Sequence, residues 1–425
     1  MKIITICMKR FYIILLLLSL LLPAFSQNVV TIEECQQWAV SQSSVNVQKE
    51  FNAQLLKVKL NDASSHLYPT LEINGGARYQ SQVPQLPFTI PGVDTMSKDQ
   101  YHISLDFSMV LFEGGKVFYG RQYERLLNQA EIRKLDIQID QVKEQVIAIY
   151  LNLLIIEKQL NILSSVENTF TEQLDLFNSM YKEGVVDGNT VAQLELEALK
   201  IEQQKGALQA TKESLKSSLS ILTSRDLSNA TFVVPQLPDV DTTTQSWRYE
   251  YDIFENQLAC LDYQRKLHFS KSLPKISIYA QGGYGRPTFN IFSNKFDWFY
   301  VAGVNLNVPL IHWAKTKGVS DIINLQKSIV RSQEADFEKS NKIQIQEKLN
   351  EIDRLQKLLE LDNQITAKYA QITSACKTQL KNGTITTYDF IKQQNDEIQS
   401  LINQEMHSIQ LLKAKYELMA LKGKL

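Results

Sequence analysis

The stretch YHISLDFSMVLFEGGK, Tyr101 to Lys116, decides the fold, because the spacing of apolar residues changes across it. Tyr101, Ile103, Leu105, Phe107, Met109 and Leu111 alternate with His102, Ser104, Asp106 and Ser108. Successive side chains of a strand point to opposite faces, so this strand has one apolar and one polar face. After Gly114-Gly115 the period lengthens. From Ile132 through Leu135, Ile139, Val142 and Val146 to Tyr181, apolar residues recur in 14 steps over 49 residues. That mean of about 3.5 predicts a long helix in a left-handed supercoil with partners. A second stripe, Ile147, Leu151, Leu154, Ile155 and Ile162, makes another flank apolar and implies neighbours on two sides. A helix unbroken from Lys116 to Tyr181 spans roughly 100 Å at 1.5 Å per residue. Gly184 and Gly188 of EGVVDGN end it, with Asn189 or Thr190 to cap the returning helix.

The strand pattern recurs. Leu71, Ile73, Gly75, Ala77 and Tyr79 oppose Glu72, Asn74, Gly76, Arg78 and Gln80, while Ile276, Ile278, Ala280 and Tyr284 oppose Lys275, Ser277 and Gln281. The last strand sets Trp298, Tyr300, Ala302, Val304, Leu306 and Val308 against Asn305 and Asn307. Segments of about ten alternating residues fit a barrel with lipid outside and a polar lumen, which puts Glu72, Arg78, Asp106 and Asn305 on the lumen face. A soluble sandwich with one wet face is the competing reading. Aromatics favour the membrane: Tyr79, Tyr101, Tyr284, Trp298 and Tyr300 near the loops and Tyr68, Phe112 and Trp313 at the other end form two interfacial girdles. Four strands cannot close a barrel, and open edges are not tolerated in lipid, so chains must pool strands. Two chains give eight strands and a filled interior; three give twelve and a wider lumen.

The unit is duplicated. YPTLEI at Tyr68 resembles LPKISI at Leu273, an offset of 205, whereas VLFEGGK at Val110 matches PLIHWAK at Pro309, and YKEGVV at Tyr181 matches LKNGTI at Leu380, both at 199. The offset changes within the loop between strands, where length varies most easily. Expected boundaries are a first repeat over 27–234, with a helix, a strand pair at 70–112 and a helical hairpin at 116–223, and a linker at 235–245. The second repeat covers 246–425, with a strand pair at 275–311 and a hairpin at 315–423.

Ahead of the repeats, Lys9 and Arg10 precede an apolar run from Phe11 to Leu22 and then Ala24-Phe25-Ser26, a secretory signal over 1–26. Its apolar run is shorter than the roughly 20 residues of a span. Beyond it lie three cysteines, Cys35, Cys260 and Cys376, too few and too scattered for a disulfide framework. They read as core residues. Removing the signal leaves 42 basic against 46 acidic residues, which offers nothing to nucleic acid. His66, His102, His268, His312 and His407 show no metal-ligand spacing, QGGYGR near Gly282 lacks a dinucleotide fingerprint, and no nucleophile or acid–base motif appears, so neither enzyme, cofactor nor metal is expected.

TIEECQQWAV followed by a helix ending SSHLYPTLEI, LFEGGK after the second strand, and YKEGVVDGNTVAQLE with LKNGTITTYDFIKQQN at the helical turns resemble the TolC family of outer-membrane efflux channels over essentially the mature length. The resemblance implies a homotrimer in the outer membrane of a Gram-negative bacterium, with a twelve-stranded barrel in lipid and a helical coiled-coil barrel in the periplasm. It also implies a passive exit duct of a tripartite efflux pump, working with a periplasmic adaptor (membrane fusion) protein and an inner-membrane pump of the RND or ABC type. On that likeness the helical tips at Gly184, Val185, Thr190, Gly383, Thr384 and Ile385 contact the adaptor, and Asp389 with Lys392 marks an aperture ring. This chain departs from the pattern: Thr190 stands opposite Asp389 in the first copy, Lys392 replaces a second acidic position, and Ile385 replaces a turn arginine. Competing functions are a type I protein secretion channel and, from another class, a periplasmic coiled-coil adaptor or scaffold without a channel.

Overall fold

The computed structural model describes residues 28–84, 88, 95–239, 241, 243, 245–290, 292–310 and 313–425. The expected signal at 1–26 and the middle of the first strand loop lie outside them, as do the side chains of Trp313 and Lys315. In chain order the elements are β1 (Asn28–Val30), α1 (Ile32–Gln42), α2 (Ser44–Ser65), β2 (Thr70–Tyr79), β3 (Asp99–Glu113), α3 (Lys116–Lys182) and α4 (Gly188–Thr223). Then follow β4 (Ala230–Phe232), α5 (Tyr249–Ser270), β5 (Lys275–Arg286), β6 (Asp297–Asn307), α6 (Trp313–Lys381) and α7 (Thr387–Leu421). The run α2-β2-β3-α3-α4 therefore recurs as α5-β5-β6-α6-α7. Two compact units form, one from Val47–Ile137 with Arg248–Ser340, the other from the residues up to Asn46, Gln138–Trp247 and Asn341–Leu425. Each takes segments from both repeats.

The unit containing Val47–Ile137 holds a four-stranded antiparallel sheet of order β2-β3-β5-β6. The register explains its faces. Ile73 opposes Leu105, Ile103 opposes Tyr284 and Ile278 opposes Val304, so the apolar set of every strand lies on one side. Glu72, Asp106 and Gln281 line up on the other. One expectation is corrected here. The register slips between Val110 and Phe112, so Leu111 is the extra residue of a β-bulge and Phe112 takes the apolar position opposite Ile276. The last strand also stops at Asn307, short of 311. At the loop end Tyr284 stacks on Phe296 and tilts against Trp298, with centroids at 5.8 and 5.3 Å. Below the sheet, Lys49 binds Asp136 at 2.5 Å and Arg133 binds Asp252 at 2.8 Å, joining α2 and α5 to α3. Cys260 is buried in α5, and burial pushes its thiol up to about 11.

The other unit is built around the long helices. Thr31 and Glu34 close a capping box at the start of α1, the Glu34 amide donating to Thr31 Oγ1 at 3.2 Å and the Thr31 amide to Glu34 Oε2 at 2.9 Å. β1 and β4 pair in parallel. Beside them the two apolar flanks of α3, including Val146, Ile147, Tyr150, Leu151 and Leu154, are buried with Ile409, Leu412 and Tyr416 of α7. The Tyr150 hydroxyl reaches the Val30 and Val233 carbonyls at 2.8 Å and accepts the Val233 amide at 3.0 Å, satisfying backbone that the core removes from water. Cys35 is buried in the same core, and burial, followed by Glu34, raises its thiol to about 12. A second cluster unites α3, α4, α6 and α7 through Phe170, Phe177, Leu194, Leu380 and Phe390, with Cys376 packed against it.

Candidate functional site

Two sets of residues carry the functional expectations, one in each unit. The first is the polar sheet face. Asn74 donates to Asp106 Oδ2 at 2.6 Å, and Gln281 donates to Ser104 Oγ at 3.3 Å, so on the middle of this face side-chain hydrogen bonds tie β2 to β3 and β5 to β3. Glu72, directly opposite Asp106, is exposed, as are Arg78 and Asn305. Arg78 donates to Gln100 Oε1 at 2.7 Å. All four expected lumen residues therefore share one face. Across the sheet the apolar side is bare: Ile73 is 74% exposed, Val304 68% and Tyr300 86%. A soluble sheet would cover that surface, because contiguous apolar patches of this kind mark interaction or membrane surfaces. Among the described residues no three His, Cys, Asp or Glu side chains converge as a metal site would require.

The second set lies at the turns between long helices, where both copies use one backbone solution. α3 stops at Lys182 and α6 at Lys381, and the next glycines, Gly184 and Gly383, take φ +76 and +72. An added Cβ would meet nothing at either glycine, so backbone conformation alone requires it there. The Val185 amide bonds the Met180 carbonyl at 2.9 Å and the Thr384 amide bonds Gln379 at 3.0 Å, ending each helix in the same left-handed cap. Val185 and Thr384 are exposed, whereas Ile385 packs against the nearby cluster.

The returning helices start differently. Gly188 is the first residue of α4 rather than a terminator, and the cap is Asp187, not Asn189 or Thr190. Asp187 Oδ1 accepts from the Thr190 amide at 2.9 Å and its hydroxyl at 2.6 Å. In α7 the roles are exchanged: Thr386 caps, accepting the Asp389 amide at 3.1 Å and donating its hydroxyl to Asp389 Oδ2 at 2.6 Å. The Thr190 hydroxyl, and then its amide, hold the Asp187 carboxyl below the usual carboxylate range. Asp389 and Lys392 are both exposed. Sequence reasoning missed Asp187, although an Asp at the start of a helical pattern is the ordinary capping signal.

A sheet with one exposed apolar face on the same chain as two long helical hairpins is the fold of outer-membrane channels. Over 92% of its length the chain superposes on 96% of the outer membrane protein VceC of Vibrio cholerae, with a TM-score of 0.70 at 12% identity. It matches the CmeC outer membrane channel of Campylobacter jejuni at 0.69 and 15% identity, covering 93% of this chain and 86% of that one. The MtrE outer membrane channel of Neisseria gonorrhoeae, in its open state, matches at 0.68 and 14% identity over 93% and 89%. No family model and no curated protein matches the sequence.

Proposed function

We propose that this protein is a passive outer-membrane exit duct, carrying drugs or other small molecules from periplasm to exterior as the last member of a tripartite efflux pump. The observation that carries this reading is the two-faced sheet. Its apolar face suits lipid, its polar face suits a lumen, and its end strands β2 and β6 each leave one edge unpaired among the described residues. Unpaired strand edges are not viable in lipid, so copies pool their strands, and three copies make a twelve-stranded barrel with room for passage.

The helices support self-association independently. Val47, Phe51, Leu55 and Val58 of α2 form an exposed stripe at helical spacing, and Ile322, Leu325 and Ile329 form another on α6. Each stripe is an interface awaiting a second copy. A periplasmic adaptor or scaffold, the competing reading, has no use for a bare apolar sheet face. The duct does no work itself. An inner-membrane pump of RND or ABC type supplies energy, and an adaptor docks at the tips, on exposed Val185 and Thr384 beside Gly184, Thr190, Gly383 and Ile385. Three copies of Asp389, with Lys392 one turn along, ring the periplasmic aperture and attract cations.

The test is the mass of the detergent-purified protein. Three chains per particle are expected, and Phe51→Glu should shift particles toward single chains; a wild-type monomer overturns the reading. For the aperture, Asp389→Asn should weaken block of the channel by trivalent cations at least about tenfold, the scale of one charged contact. Unchanged block refutes the ring.

A further inference from the structure

A cavity of about 310 Å³ opens on the polar sheet face at its loop end, at the lower edge of the range of roughly 300–1,000 Å³ that small-molecule sites occupy. Arg78, Arg286, His102, Phe289 and Phe299 are among the residues that line it. Arg78 has a single polar partner on its guanidinium, the Gln100 side-chain oxygen, and makes no ion pair among the described residues. Gln100 is buried and its amide nitrogen is already engaged with Gln80 Oε1 at 3.2 Å, so it orients the guanidinium without neutralising it. The remaining guanidinium N–H donors meet no acceptor among the described residues. Arg286 also lines the cavity, but its guanidinium is already paired with the Asp99 carboxylate.

Facing this cation, Phe289 and Phe299 meet edge to face with centroids at 5.1 Å, and Phe289 is 62% exposed. His102 forms a flat wall, its ring lying across Gly76, where any Cβ would come within 2.5 Å of it. Asp106 stands four residues along β3 from His102, roughly 13 Å away at about 3.3 Å per residue, and is bonded to Asn74. Of the two lining arginines, Arg78 is the one without a carboxylate partner among the described residues, and the neighbouring surface is aromatic.

We propose that this cavity binds organic anions, with a carboxylate or sulfonate on the Arg78 guanidinium and a flat apolar body against Phe289 and Phe299. The fork of guanidinium donors matches two oxygens of such a group. The inference rests on the channel reading for its placement in the lumen, where it would be a waypoint for anionic cargo. A conducting path needs such sites to hold weakly enough to release.

The experiment titrates 2-naphthalenesulfonate into the purified protein in lipid nanodiscs by calorimetry. Saturable binding is expected, weakened at least about tenfold by Arg78→Gln, the scale of a lost charge-assisted bond. Phe289→Ala, at an exposed turn position, should also weaken it, and methanesulfonate, with the same charge and no ring, should compete poorly. Equal binding by wild type and both variants, or equal competition by methanesulfonate, overturns the inference. Saturable binding by protein that never conducts in bilayers would count against the channel and leave the site standing. Conduction without saturable binding would do the reverse.

Discussion

Asp187 and Thr190 in one turn, and Thr386 and Asp389 in the other, perform the same capping with their residue types exchanged. Each copy therefore carries one carboxylate in its capping pair, placed at the cap in the first copy and one turn into the helix in the second. Both positions favour the negative charge at a helix N-terminus. Because Asp187 has a lowered folded pKa, its contribution to stability is present above the ordinary carboxylate value of 3.8 and is lost as pH falls through the lowered one. Asparagine caps without titrating. The ratio of pepsin nicking between Glu183 and Asn189 in wild type to that in Asp187→Asn should rise as pH drops below 3.8, and a flat ratio would contradict the assignment. The sequence disguised this cap because Gly188 reads as a helix breaker, although at the first helical position glycine leaves no intrahelical bond unmade. Gly184 and Gly383, by contrast, were legible, since a glycine after a long periodic run is the ordinary sign of a left-handed helix end.

Among the elements, the strands were the most legible, because a period of two assigns every residue to a face without knowledge of its neighbours. Two features escaped that reading. Met109 to Phe112 are all apolar, so alternation marks no register there and the bulge shows only once β5 supplies one. The pairing of β3 with β5 joins the two repeats and depends on contacts far apart in sequence. The apolar stripe on α2 was equally hidden, since exposure of Phe51 and Leu55 is a property of what does not cover them. Neighbouring residues on opposite faces of β6 give a sharp comparison. Val304→Lys puts a charge on the apolar face and should cost about 2–4 kcal/mol if that face meets lipid, lowering the yield of folded protein in membranes. Asn305→Lys, one residue along on the polar face, should fold normally and shift ion selectivity toward anions. Equal yields for both would remove the distinction between the faces.

At the scale of the whole molecule, duplication gives each chain two strand pairs and two helical hairpins, and the sheet still has two open edges. That incompleteness is the centre of the account: in the proposed duct one copy is a segment, and function belongs to the closed assembly. Strand count argues for three copies, the exposed stripes on α2 and α6 supply surfaces to join them, and the polar face with Glu72, Arg78, Asp106 and Asn305 supplies a wettable interior. Conductance of the purified protein in planar bilayers tests the central claim most directly. The account predicts uniform current steps that persist at constant voltage. Folded protein, helical by circular dichroism and inserted in the bilayer, that produces no steps would contradict it.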